Sequence, residues 1–192
     1  MSVRPHAIRL PAARRRQQLL EVALQVFGER GFHATSMNEV AEAAGVTKPV
    51  LYQHFRSKRA LYREVLTDVG AQLLDEITKA TTAATSPREQ VELGVLAYFR
   101  WVARNEAAFG VLFGGGTRRD QEFERLVAEV ESAVAEAVAV LIEIEGLTPP
   151  QKRHLAHGIV GLAECTSRRW VAAGRDDTPE ELARLVAELV WN

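Results

Sequence analysis

Residues 35–58 read TSMNEVAEAAGVTKPVLYQHFRSK, and their spacing predicts two short helices joined by a tight glycine turn. Ser36 and Glu39 stand at the S-x-x-E spacing, in which hydroxyl and carboxylate each satisfy a backbone N–H at a helix start. Val40, Ala41 and Ala44 put small apolar groups on one face. Gly45 suits the left-handed residue that ends a helix, because it has no Cβ to clash. Thr47 is placed to cap a second helix, with Lys48 and Pro49 in its first turn. Leu51 and Phe55, four apart, should face inward and leave Lys48, Tyr52, Gln53 and His54 outside. A small-residue helix, a glycine turn and a helix with exposed donors make a helix-turn-helix, the geometry that lays a helix in a DNA groove.

Upstream, Leu19, Leu20, Ala23, Val26 and Phe27 follow the pattern of an amphipathic helix over about 13–30. Gly31 and Phe32 then look like a glycine cap with its hydrophobic contact. Residues 1 to about 12 carry arginines and two prolines without an apolar period, which predicts a mobile basic arm. A solvated tail is one reading of it and minor-groove entry another. Ser57 should cap a long helix through Leu61, Val65, Val69 and Leu73 toward Ala80, linking the small unit to the rest. Thr81–Ser86 reads as a loop.

Three later starts, Ser86-Pro87-Arg88-Glu89, Thr148-Pro149-Pro150-Gln151 and Thr178-Pro179-Glu180-Glu181, repeat the cap, proline and Glu/Gln pattern. With Thr117 they predict helices near 87–104, 106–113, 118–145, 149–173 and 179–191. Gly114-Gly115-Gly116, Glu145-Gly146 and Gly174 are the breaks. No segment alternates with period two between turn signals, so strands are not expected. The expected fold is all-α, about nine helices: a helix-turn-helix domain over 13–58 and a larger helical bundle over 59–192.

The whole chain has 192 residues and a formal net charge of −1, which conceals an asymmetry. Up to Ala60 there are ten Lys/Arg against four Asp/Glu; the remainder has fourteen against twenty-one. A basic N-terminal third on an acidic body points to a polyanion met by the N-terminal part. Without Arg4, Arg9 and the run Arg14 to Arg16 the excess is slight, so charge supports the motif rather than replacing it. The single cysteine excludes an internal disulfide framework and fits a reducing cytosol. No apolar run reaches the roughly 18 residues of a membrane span, and the arginines at the start lead into no apolar signal region.

The first 65 or so residues resemble the TetR family of bacterial transcriptional repressors. The resemblance is carried by VALQVFGERGFHATS, by the VAEAAGV turn and by TKPVLYQHFRSKRALYREVL, with Phe27, Gly31, Gly45, Tyr52, Phe55, Lys58 and Leu61 at the family's spacing. It implies a cytoplasmic, nucleoid-associated, Ω-shaped homodimer whose recognition helices enter successive major grooves of a palindromic operator. By matching position, Lys48, Pro49 and Gln53 lie against base edges; Tyr52, His54 and Lys58 hold phosphates, helped by Ser36 and Thr47 at helix N-termini. Donors at a rim fix register while groups at the start of the groove helix read sequence, which agrees with that division. The resemblance further implies release by a small-molecule effector and a dimer built from the last two helices.

An apolar or aromatic effector would find its lining in Tyr98, Phe99, Trp101, Phe109, Phe113, Phe123 and Trp170, although aromatics at helical spacing are also ordinary core. Leu182, Leu185, Val186, Leu189 and Val190 form an apolar stripe suited to a two-subunit seam or to the protein's own core. Gly158 and Gly161 permit close helix approach. His154 and His157, three apart, are too few for a metal site, and Cys165 reads as a small buried hydrophobe. The glycine triplet lacks the lysine and hydroxyl of a phosphate loop. No catalytic set stands out, so no enzyme activity, metal or cofactor is expected. Two rivals remain: a DNA-binding regulator without small-molecule input, and a helical-bundle enzyme or metal protein with a vestigial DNA-binding unit.

Overall fold

The computed structural model describes residues 11–114 and 120–191, among which there are nine helices and no strand. They are α1 (Ala12–Ala34), α2 (Met37–Ala43), α3 (Lys48–His54), α4 (Lys58–Thr82), α5 (Pro87–Arg104), α6 (Glu106–Phe113), α7 (Gln121–Ala139), α8 (Pro149–Ala172) and α9 (Pro179–Trp191). Most of the expected N-terminal arm, the cap at Thr117 and the break at Gly115-Gly116 lie outside the described residues.

Local chemistry sets most boundaries. Gly31, at φ 77°, breaks α1 after Arg30, and the Thr35 hydroxyl donates back to the Gly31 carbonyl at 2.9 Å. Ser57, Ser86 and Thr178 each accept a backbone N–H three residues on. At Thr148, the Gln151 side chain accepts the cap residue's own N–H at 2.8 Å. α4 runs two residues past the expected end because Thr81 and Thr82 turn their hydroxyls onto carbonyls of the preceding turn and remain helical.

The seventh helix is shorter than the expected 118–145. Asp120 is its cap, accepting the Glu122 N–H, and it ends at Ala139. Beyond that point the N–H groups of Leu141 and Ile142 reach back only three residues, and Val140 and Ile144 are exposed. Ala135 and Ala139 pack on Ala156 of α8, and Ile142 still leans on that cluster, while Val140 and Ile144 face solvent.

α4 is the axis. It packs on α5 and α7, and near its start on α1 and α6; α7 in turn lies on α8, and α5 on α9. α1 and α6 cross almost backbone to backbone: a Cβ at Gly28 would stand 2.6 Å from the Ala107 Cα. α4 and α7 approach nearly as closely, since a Cβ at Gly70 would stand 2.4 Å from a Val130 methyl. One hydrophobic core runs from Leu19 to Ala187, through the helix-turn-helix and the bundle alike.

Candidate DNA interface and its connection to the body

The reading unit assembles as its spacing predicts. Ser36 and Glu39 close the reciprocal box: the Ser36 N–H donates to Glu39 at 2.7 Å and the Glu39 N–H to the Ser36 hydroxyl at 3.3 Å. Hydrogen bonds from Ser36, its side chain first, hold the Glu39 carboxyl below the usual carboxylate range. Gly45 takes φ 63°, and the N–H groups of Gly45 and Val46 return to the carbonyls of Glu42 and Ala41. That pairing is the αL turn that ends a helix and fixes the angle to the next. Leu51 and Phe55 are fully buried, and the Arg16 guanidinium lies 4.9 Å above the Phe55 ring while pairing with Glu64. Arg30 bonds Glu39 at 2.6 Å, pinning the end of α1 to α2.

With the inward side fixed, α3 presents Lys48, Pro49, Tyr52 and Gln53 to solvent on one edge. Tyr52 is 42% exposed, large for an aromatic ring with no partner beyond the Lys48 ammonium 5.9 Å from its centroid. Thr47 occupies the cap position of α3, but its side chain makes no capping hydrogen bond; its carbonyl accepts the N–H groups of Val50 and Leu51 instead. The expectation of a hydroxyl cap there is corrected; Thr47, like Lys48, is exposed. Ser36 is exposed, but its hydroxyl and N–H are both engaged in the box. His54 is half-buried beside Phe55.

Lys58 differs most from expectation. Its ammonium donates to the carbonyls of Phe32 and Thr35, each at 2.7 Å, and stands 4.3 Å over the Phe32 ring. Burial lowers its pKa. Two of its three donors therefore tie the end of α1 to the start of α4, leaving at most one for a phosphate. Spacing gave no sign of this, because the acceptors are backbone carbonyls 23 and 26 residues away.

The unit is joined to the body by a second set of contacts. Phe32, Tyr62 and Phe123 meet in edge-to-face and tilted contacts with ring centroids 4.7–5.0 Å apart, and the Tyr62 hydroxyl donates to the Val111 carbonyl of α6 at 3.3 Å. Above them Arg59 grips Asp120 through both Nη atoms, at 2.6 and 3.1 Å, and Glu122 at 2.6 Å, with its guanidinium 4.9 Å over Phe123. These bonds hold the Asp120 carboxyl below its ordinary range. The start of α7 is thus bolted to the start of α4, next to the reading helices.

The seven residues expected to line an effector chamber fall into separate groups in the core. Phe123 belongs to the junction just described. Phe109 and Phe113 pair with each other on α6 at 5.2 Å. Trp101 borders a polar cleft of about 260 Å³ with Gln72, Asp75, Glu76, Arg104 and Asn105. Tyr98, Phe99 and Trp170 do converge, Phe99 lying 5.3 Å from Tyr98 and 6.1 Å from Trp170. All seven are buried, and helical spacing could not tell which neighbour each would find. The expected apolar stripe on α9 is split: Leu182 and Val186 are buried and Leu185 and Leu189 exposed. Cys165 is exposed, contrary to expectation. Among the described residues no three His, Cys, Asp or Glu side chains are placed to hold a metal, and no helix is long and apolar enough to cross a membrane.

Comparison with known proteins agrees with this geometry. Residues 19–65 match the family model described as bacterial regulatory proteins, tetR family, and residues 87–192 match one described as tetracyclin repressor-like, C-terminal domain. The HTH-type transcriptional activator FasR of Mycolicibacterium smegmatis is 32% identical over 184 residues, 95% of this chain and 84% of that protein. The HTH-type transcriptional repressor KstR2 of the same species is 35% identical over 95 residues, about half of either chain. The solved structure of the transcriptional regulator FadR from Bacillus subtilis in complex with stearoyl-CoA superposes with a TM-score of 0.78 at 18% identity, over 91% of this chain and 96% of that one. At that identity the likeness is one of fold.

Proposed function

We propose a function from this premise: the chain belongs to the TetR family of bacterial regulatory proteins and is a DNA-binding transcriptional regulator. It acts as a homodimer on a palindromic operator in the cytoplasm, and a hydrophobic small molecule bound in the helical body weakens its hold on DNA. The observation that carries this reading is the edge of α3, where Lys48, Pro49, Tyr52 and Gln53 face solvent over a buried Leu51. Lys48, Pro49 and Gln53 meet base edges. Tyr52, His54 and Thr47 hold phosphates, with Ser36 and the remaining donor of Lys58 at the margin. The reading domain spans 13–58 and the sensing and dimerisation domain 59–192. No catalytic role is assigned to any residue.

The outward faces of the last two helices support the dimer. Leu155 on α8 and Leu185 and Leu189 on α9 are exposed, and Gly158 and Gly161 have open space where a Cβ would stand. A second copy would cover them, and a two-fold seam would set the spacing of the reading heads at about one DNA turn, roughly 34–36 Å. A ligand then acts by shifting α4 through the Arg59 and Tyr62–Phe123 contacts, favouring a spacing that no longer matches the operator. An acyl compound is the first effector class to test, since FadR of Bacillus subtilis was solved with stearoyl-CoA. Repression is the expected sign, as for KstR2; an operator placed to recruit polymerase would give activation, as the name of FasR has it.

Genomic footprinting with the purified protein tests the reading, followed by operator titration with and without effectors found by thermal shift. Protection of paired half-sites that is weakened by a bound ligand supports it. The burial of all seven aromatics is equally that of an ordinary core, which favours a second reading, a regulator with no small-molecule input; a ligand that binds without changing operator affinity would favour that instead.

A further inference from the structure

Tyr98 is out of keeping with the core around it. Its ring is buried on α5, and among the described residues its hydroxyl has no hydrogen-bond partner. The hydroxyl of the fully buried Ser167 on α8 acts on the phenol without forming a hydrogen bond with it. Its own proton goes to the Ala163 carbonyl at 2.8 Å. Buried hydroxyls almost always find a partner, so one left unmet marks a place where something is missing.

The surroundings limit what could fill it. Burial raises the phenol pKa far above its ordinary value, so at any physiological pH the group is a neutral O–H that offers a proton. The charged groups acting on it are the carboxylates of Glu164 on α8 and Glu131 on α7, opposed by Arg168, which pairs with Glu164 at 3.2 Å. An anionic ligand here would meet two carboxylates in a medium of low dielectric. On the ring side lie Phe99 and, beyond it, Trp170. α5 is held by long seams with α4 and α9, while its seam with α8 is short, which makes that side the one that can part.

We propose that the Tyr98 hydroxyl anchors the effector, donating its proton to an uncharged acceptor such as the carbonyl of an ester, thioester, amide or ketone on an otherwise apolar molecule. The ligand's hydrocarbon lies toward Phe99 and Trp170, in the α5–α8 seam, and its carbonyl completes the polar group that the empty core leaves unmet. This rests on the reading of the body as an effector domain and names the chemistry of its site.

The test uses the full chain and Tyr98→Phe, with dodecane, methyl dodecanoate and dodecanoate as matched probes in thermal-shift and tryptophan-fluorescence titrations. The variant without probe should melt at the same temperature as wild type or higher, because it loses no hydrogen bond. Methyl dodecanoate should bind the wild type on the order of 10-fold more tightly than either dodecane or dodecanoate, and in Tyr98→Phe its advantage over dodecane should vanish. A lower melting temperature for the unliganded variant would show that the hydroxyl is already bonded, and would overturn the proposal. Equal binding of ester and alkane, or an ester advantage that survives in the variant, would overturn the anchor while leaving an effector pocket in place. Failure of all three probes to bind would count against anchor and pocket together.

Discussion

The reading unit and the helical body meet their polar groups in different ways. Between residues 11 and 60 several turns are closed by named partners: Ser36 by Glu39, the end of α2 by Gly45 and Val46, and the end of α1 by Lys58. In the body the caps are equally well made, but the interior holds a tyrosine hydroxyl with no partner and an ion pair, Arg168–Glu164, at its margin. A surface that presents Lys48 and Tyr52 in one register benefits from rigidity, whereas an interior with an unmet polar group has less to hold it in a single arrangement. The difference fits the proposed division into a rigid reader and a more adaptable body.

The largest effect should come from the reader. Changing Lys48 and Tyr52 together to alanine should lower operator affinity by about 100-fold or more, since a good base contact is worth about 1–3 kcal/mol and a phosphate contact adds to it. Fluorescence anisotropy on the footprinted operator measures this, and an unchanged melting temperature would confirm that folding is intact.

Next in size is the crossing of α1 and α6. Gly28→Ala sets a methyl against the Ala107 backbone, which cannot swing aside as a side chain can. It should cost about 1–3 kcal/mol, or several degrees of melting temperature. Gly70→Ala meets only a Val130 methyl and should cost less. If the order is reversed, the junction is not the stiffer of the two contacts.

Lys58→Met keeps the hydrocarbon stem and removes the two carbonyl bonds, so it should destabilise the reading unit by about 1–3 kcal/mol. The salt dependence of DNA binding then separates two roles. If Lys58 also holds a phosphate, the slope of log affinity against log salt should fall by about one; if it is a clamp alone, the slope should stay. Arg59→Glu, which places like charges beside Asp120 and Glu122, should leave the fold intact and alter how strongly an effector changes operator affinity.

The smallest effect is on pH. Hydrogen bonds from Ser36 and Thr178 lower the pKa of Glu39 and Glu181, and Arg59 lowers that of Asp120. The folded state therefore favours the charged carboxylates. Their contribution is present above the unfolded values, near roughly 4, and is lost as pH falls through the lower folded ones. Melting temperature should hold steady from neutral pH to about 5 and decline below about 4.

What the sequence revealed follows the same division. Caps, the Gly31 and Gly45 turns and the inward pair Leu51 and Phe55 are set by interactions three to five residues apart, and spacing is enough to find them. The clamp from Lys58, the Arg59 contacts and the fate of the seven aromatics depend on partners tens of residues away. Phe123 and Trp170 look alike in a helical repeat, yet one lies in the junction and the other beside Phe99. The end of the seventh helix departs from its apolar period for a local reason: after Ala139 the chain tightens into three-residue turns at Leu141 and Ile142, although Ile142 still packs on the Ala135–Ala156 cluster.

Binding of the purified wild-type protein to its footprinted operator, titrated beside the Lys48→Ala, Tyr52→Ala double variant under the same salt, bears most directly on the central claim. Two protomers should occupy paired half-sites about one turn apart, with the double variant reduced to weak, sequence-indifferent binding. Equal affinity of the two proteins, or a monomer that retards no genomic fragment even at low salt, would contradict it.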